Sequence, residues 1–157
     1  MNPFQAYPAR WPATPQNVAL AQAFVLARWQ ERHDERFGSD EGSLRFRPTD
    51  LSSSCKFSSI FALAVFGGKL EGNPDHQFVR LSDGQVLDLN HGAQDVLELG
   101  ERAHRHNPAW WGCRDHKASL KSCLPRALAW VAQFEQDIGR GLLEVPSPSI
   151  KRRAPRP

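Results

Sequence analysis

The chain has 157 residues, enough for one domain that buries a core without disulfide staples. Its 40% hydrophobic and 24% charged content excludes a mainly disordered protein. The net charge of +3 does not describe a basic body: Lys151, Arg152, Arg153 and Arg156 crowd the C-terminal end, and without them acids slightly outnumber bases.

The three cysteines, Cys55, Cys113 and Cys123, are odd in number and lack the dense spacing of a disulfide framework. A reducing, cytoplasmic setting is the expectation. MNPFQAYPARWP has no basic-then-apolar signal pattern, and the longest apolar run, 60 to 66, is too short to cross a bilayer, so neither a signal peptide nor a membrane span is expected.

Residues 1 to 13 hold three prolines and read as an arm packed through Phe4, Tyr7 and Trp11. Thr14 as N-cap, Pro15 in the first turn, and Val18, Ala21, Val25 and Trp29 at helical spacing predict a helix that stops before Gly38. Residues 38 to 50 are turn-rich, with a short strand at Leu44 to Arg47 closed by Pro48. Three serines, an apolar stretch and two glycines then predict a central helix over about 54 to 66, capped by Ser53 or Ser54 and ended by Gly67.

After a loop through Gly72, Asn73 and Pro74, the runs His76 to Leu81 and Gln85 to Leu89 flank Asp83-Gly84, a hairpin signal. Residues 93 to 104 read as a helix stopped by Asn107-Pro108. Leu120, Leu124, Ala127, Val131, Phe134 and Ile138 predict a final helix whose Pro125 lies in its first turn or kinks it. The Pro-rich basic segment 146 to 157 is expected to be disordered, leaving one α+β domain over 14 to 145.

Cys55 falls where the central helix begins. A thiolate is stabilised there by the helix N-terminus, and the free N–H of the first turn is a candidate oxyanion donor. His76 opens one hairpin strand and Asp88 lies near the end of its neighbour. Pairing about Asp83-Gly84 sets His76 near Asn90 or His91 and diagonal to Asp88, so either Asp88 or Asn90 is the candidate partner that orients the imidazole. Ser53, with Ser52, is a second, weaker oxyanion candidate.

SSSCKFSSIFALAVFGG, then DHQFVRL, then DGQVLDLN resembles the core of the papain-like and transglutaminase-like cysteine hydrolases, over roughly residues 50 to 92. The resemblance implies an α+β fold with a nucleophile helix on a small antiparallel sheet and flanking helices. It also implies Cys55 as nucleophile, His76 as base and Asp88 as orienting acid. The activity implied is cofactor-free acyl transfer from an amide or isopeptide bond of a protein or peptide: hydrolysis, deamidation or amine transfer. The chain departs from the family in its short 55-to-76 interval, in having Lys56 rather than an aromatic residue beside the cysteine, and in lacking an upstream Gln or Asn as second oxyanion donor.

Other constellations compete. Cys113 and His116, with His104, His106 and Cys123, form a zinc-like set without a recognised finger pattern, and no metal is expected there. Trp110-Trp111 reads as a stacking platform or as a plug beneath a loop. His91 is an alternative base. The basic tail offers a salt-sensitive contact to nucleic acid, although no interleaved basic and aromatic stripe supports one in the body. A non-catalytic binding module using that tail and the Trp pair is the alternative function.

Overall fold

Thr14 accepts the Asn17 N–H at 3.2 Å, Pro15 occupies the first turn, and helix α1 runs Pro15–Phe37 until Gly38 turns to a φ of +86°. In this computed structural model, which describes residues 1–141, Ala21, Phe24 and Val25 of α1 are buried. The Pro-rich basic segment expected at 146 to 157 lies outside the described residues, as does the end of the 14 to 145 domain.

The strand expected at 44 to 47 does not form. Asp40 caps a single helical turn, α2 (Glu41–Leu44), by accepting the Ser43 N–H at 2.9 Å, and that local bond wins over an unpartnered strand. The central helix is α3, Cys55–Phe66, and its residues from Ser58 to Phe66 are all buried. It is covered by α6 (Arg114–Gly139) on one side and by the sheet on the other. Phe24, Phe61 and Phe134 meet at centroid distances of 5.1 to 5.8 Å, joining α1, α3 and α6 in one aromatic cluster.

The antiparallel sheet has order β1 (Lys69–Gly72), β2 (Gln77–Arg80), β3 (Val86–Leu87). Strand β1 is not anticipated by the sequence, which places only its last residue, Gly72, in a loop. KLEG has one apolar residue and no alternation to announce it, yet it pairs Leu70 with Val79 and Gly72 with Gln77. The β2–β3 register sets Val79 opposite Leu87, and Gly84 takes a φ of +86° in the turn.

The arm packs through Phe4, Tyr7 and Trp11 against the core, and Tyr7 exchanges two backbone hydrogen bonds with Gly68 at 2.9 and 2.8 Å. Gly67 has a φ of +69°, and a Cβ there would fall 2.4 Å from the Ala9 nitrogen. Gly67→Ala is therefore expected to cost at least about 2 kcal/mol in urea unfolding, because a strained φ and a backbone clash coincide.

The helix expected over 93 to 104 is broken at Gly100, where φ is +58°, into α4 (Gln94–Leu99) and a 3-10 turn Gly100–His104. Asn107-Pro108 does stop the preceding turn but also starts a new one, α5 (Pro108–Trp111), with the Asn107 side chain accepting the Trp110 N–H at 3.1 Å. Helix α6 begins well before Leu120, so Pro125 sits in its interior rather than its first turn. Among the described residues no helix is long and apolar enough to cross a membrane.

Candidate active site

Cys55 is the first residue of α3 and is partly exposed. Ser54 holds the N-cap position but does not cap: its hydroxyl donates to the Leu51 carbonyl at 2.7 Å. The Asn90 amide reinforces this turn, donating to Leu51 O at 2.6 Å and Ser54 Oγ at 3.1 Å. The first N–H groups of α3, those of Cys55 and Lys56, consequently meet no acceptor among the described residues. The positive end of the helix opens beside the sulfur.

His76 immediately precedes β2 and is 2% exposed. Its backbone is pinned twice, by its carbonyl accepting the Asn73 N–H at 2.9 Å and by its N–H donating to Asn73 Oδ1 at 3.0 Å. Gly72 permits this tight approach, since a Cβ there would come 2.6 Å from the His76 carbonyl oxygen. The ring Nε2 lies 2.8 Å from Asp88 Oδ2, and the Cys55 thiol is close enough to the ring to favour its charged form. With Nε2 on the carboxylate, Nδ1 is the ring nitrogen left for a second partner.

Asp88, 8% exposed, follows β3 and receives three donors: the Asn90 N–H on Oδ1 at 2.9 Å, and the Nε2 atoms of His76 and His104 on Oδ2, each at 2.8 Å. The Oδ1 bond forms a local turn that sends Asn90 away from His76. The structure therefore joins His76 to Asp88 with Cys55 in the neighbourhood of the ring, while Asn90 braces the start of α3 and also accepts the Ser58 hydroxyl. His91 lies at the surface, its Nδ1 3.2 Å from Gln22 Nε2 and 3.1 Å from the Asp88 carbonyl. The Ser53 N–H, expected as an oxyanion donor, is taken by Asp95 Oδ2 at 2.7 Å, and Ser53 holds a φ of +65°. The Ser52 N–H is likewise committed, to Asp50 Oδ1 at 2.8 Å.

Burial, the largest influence on His76, opposes its charge. The hydrogen bonds and charges of Asp88 and Cys55 together outweigh it and raise the imidazole from 6.5 to about 9. Burial likewise pushes Asp88 up, but hydrogen bonds from His104 and His76, the His76 charge and the Asn90 N–H bring it from 3.8 down to about 2. The pair is thus an imidazolium beside a carboxylate at neutral pH.

The zinc-like set does not converge. His104 turns to Asp88, the His106 ring lies 3.1 Å from the Gly72 backbone, Cys113 stands at the N-cap position of α6 without a side-chain capping bond, and Cys123 is buried with its sulfur 3.5 Å from the Ser119 carbonyl. His116 is stacked on Trp110 and Trp111 at 4.0 and 4.6 Å, so the half-buried Trp pair closes over a histidine instead of standing as a platform. Ligand atoms of His76, Asp88 and His104 do lie within 4.8 Å of one another. Both imidazoles already donate N–H to one carboxylate oxygen there, whereas a metal would require their lone pairs, so an ion pair with two hydrogen bonds describes the trio better.

His104 is the contributor that sequence reasoning assigned elsewhere. Asn73 places it, donating to the carbonyls of Arg102, Ala103 and Arg105 at 3.1, 3.2 and 2.8 Å while it holds His76 from its other side-chain atom. One buried amide thereby ties the His76 turn to the His104 segment. His104→Ala is expected to slow Cys55 alkylation roughly tenfold, the equivalent of one charge-assisted hydrogen bond. His104→Gln, which keeps an N–H donor, is expected to restore most of the rate.

Stability should pass through a maximum near pH 6.5. His76 is raised when folded, so its contribution is complete below 6.5 and is lost as pH climbs through about 9. The shift corresponds to on the order of 3 kcal/mol. His116 is lowered to about 4, by burial first and by the Lys56 charge second, so stability falls as pH drops from 6.5 toward that value. Urea unfolding across pH should show both flanks, with His116→Phe flattening only the acid one.

No protein-family model, no curated protein and no solved structure matches this chain. What the fold and site define on their own is an α+β domain, with six helices and a three-stranded antiparallel sheet among the described residues, carrying Cys55 at an open helix start against a buried His–Asp pair.

Proposed function

We propose that the protein is a cysteine-dependent acyl-transfer enzyme of papain-like or transglutaminase-like type, acting on an amide or isopeptide bond. The observation that carries this reading is the buried His76–Asp88 pair, joined at 2.8 Å, with the partly exposed residue Cys55 near the imidazole at the start of α3. A pair built only for stability has no need of a thiol at its third position, beside two unused N–H groups.

In the mechanism proposed, the Cys55 sulfur attacks the amide carbonyl with its proton held on His76, and a C–S bond forms as the carbonyl π bond opens to an oxyanion. The Cys55 and Lys56 N–H groups meet that oxyanion, Lys56 supplying the second donor for which the sequence offered no upstream Gln or Asn. Collapse breaks the C–N bond, and the His76 imidazolium gives its proton to the leaving amine. Neutral His76 then takes a proton from water, or from an incoming amine, as either attacks the thioester and releases the thiol. Asp88 stays ionised throughout and holds Nε2.

The test is competitive alkylation by iodoacetamide at neutral pH, followed by peptide mass spectrometry. Cys55 should react fastest, Cys113 more slowly, and Cys123 slowest because burial pushes its thiol up. Equal rates at Cys55 and Cys113 would sink the reading.

A further inference from the structure

A cleft of about 500 Å³ opens between α1, the chain neighbours Ser53 and Lys56 of Cys55 and the first half of α6, with Cys55 itself outside its lining. Arg32, Arg36 and Lys56 line it together with Trp29, Ser53 and Ser119, and no carboxylate is among its lining residues. The acids on the same stretch of α1 are committed elsewhere: Glu31 to Arg28 at 2.5 Å, Asp34 to Arg47 at 2.8 Å, and Glu35 to Arg126 at 2.8 Å. Among the described residues none of the three cleft cations has a carboxylate within 4.0 Å.

Their surroundings hold them in place without neutralising them. The Arg32 guanidinium lies 5.4 Å from the Trp29 ring and 5.0 Å from the Phe57 ring, and the Lys56 ammonium donates to the Ser119 hydroxyl. Two donors of the wall, Trp29 Nε1 and Arg32 Nε, are buried without any acceptor. Buried donors normally find partners, and like charges converge without counter-ions only at a cost. A bound oxyanion supplies the missing counter-charge. Arginine forks suit a carboxylate or a phosphate, and Ser53 and Lys56, on either side of Cys55 in the chain, place the cleft within one turn of the cysteine along the backbone.

We propose that this cleft binds an anionic group of the substrate, a carboxylate or phosphate, and thereby selects acidic acyl substrates for Cys55. The proposal rests on the thiol-enzyme reading but is separable from it. The experiment compares alkylation of Cys55 by iodoacetate, which is anionic, with iodoacetamide, which is neutral, using N-acetylcysteinamide as the reference thiol. Both reagents report the thiolate, so the change in their ratio when a cleft cation is removed isolates the cleft from the helix start and the His76 imidazolium.

The ratio of iodoacetate to iodoacetamide rates at Cys55 should exceed the reference by roughly tenfold and fall severalfold toward it in Arg36→Gln and in Lys56→Gln. Arg36 is exposed, so its replacement leaves the fold intact. Inorganic phosphate or succinate should protect against iodoacetate, the stronger protector naming the oxyanion. A ratio equal to the reference, or one untouched by either substitution and by both anions, overturns the proposal. If Cys55 proves inert to both reagents, the thiol reading fails and calorimetric titration with phosphate decides the cleft: binding weakened roughly tenfold by Arg36→Gln sustains it, and no binding overturns it.

Discussion

Replacing His76 with alanine is expected to slow alkylation of Cys55 at neutral pH by roughly a hundredfold while leaving Cys113 unchanged. The imidazole is 2% exposed and held by Asp88 at 2.8 Å, so no water enters that position with the same charge or orientation. Removal also leaves Asp88 buried with two donors in place of three. That uncompensated carboxylate destabilises the fold as well as the thiolate. His76→Gln separates the two effects: it fills the space and keeps an N–H for Asp88, yet cannot carry a proton from sulfur. If His76→Gln restores stability but not the rate, the imidazole acts on the thiol. If it restores both, His76 serves only to pack the site.

The second large effect is on folding. Asn90→Ala is expected to cost about 3 kcal/mol in urea unfolding, near the upper end for one polar side chain, because several partners are left unpaired in the core. Asn90 is 1% exposed, and its amide bridges Leu51 O, Ser54 Oγ and Ser58 Oγ. These bonds shape the turn that presents Cys55. The same substitution should therefore also slow Cys55 alkylation, with Asn90→Asp failing to rescue because a carboxylate cannot donate to the Leu51 carbonyl.

Helices α1 and α3 were legible because their ends are written locally: Thr14-Pro15 opens one, and Gly38 and Gly67 close them. The start of α3 was legible only in position. Its serine cap was the expectation, but a hydroxyl can also donate backward, and Asn90, distant in sequence, decides which it does. Parity along the hairpin left Asp88 and Asn90 as rivals for His76. The register does extrapolate to Asn90 opposite His76, but pairing ends at Leu87, and the turn closed by Asp88 Oδ1 redirects the chain beyond it.

His104 was out of reach for a different reason. Its neighbours in sequence, His106, Cys113 and His116, made a soft-ligand cluster the natural expectation, whereas its position at Asp88 depends on three carbonyls gathered by Asn73. Strand β1 carried no alternation to read, and its existence depends on pairing with β2. Long-range polar contacts of this kind leave no periodic trace along the chain.

Whether Cys55 accepts an acyl group with the help of His76 is measured most directly by brief incubation of the full chain with p-nitrophenyl acetate, acid quench and peptide mass spectrometry. The expected product is one acetyl thioester per chain, on Cys55, removed by hydroxylamine and missing in His76→Gln. Acetyl groups spread evenly over Cys55, Cys113 and Cys123, or a Cys55 thioester that forms equally fast in His76→Gln, would contradict the proposed role of the pair.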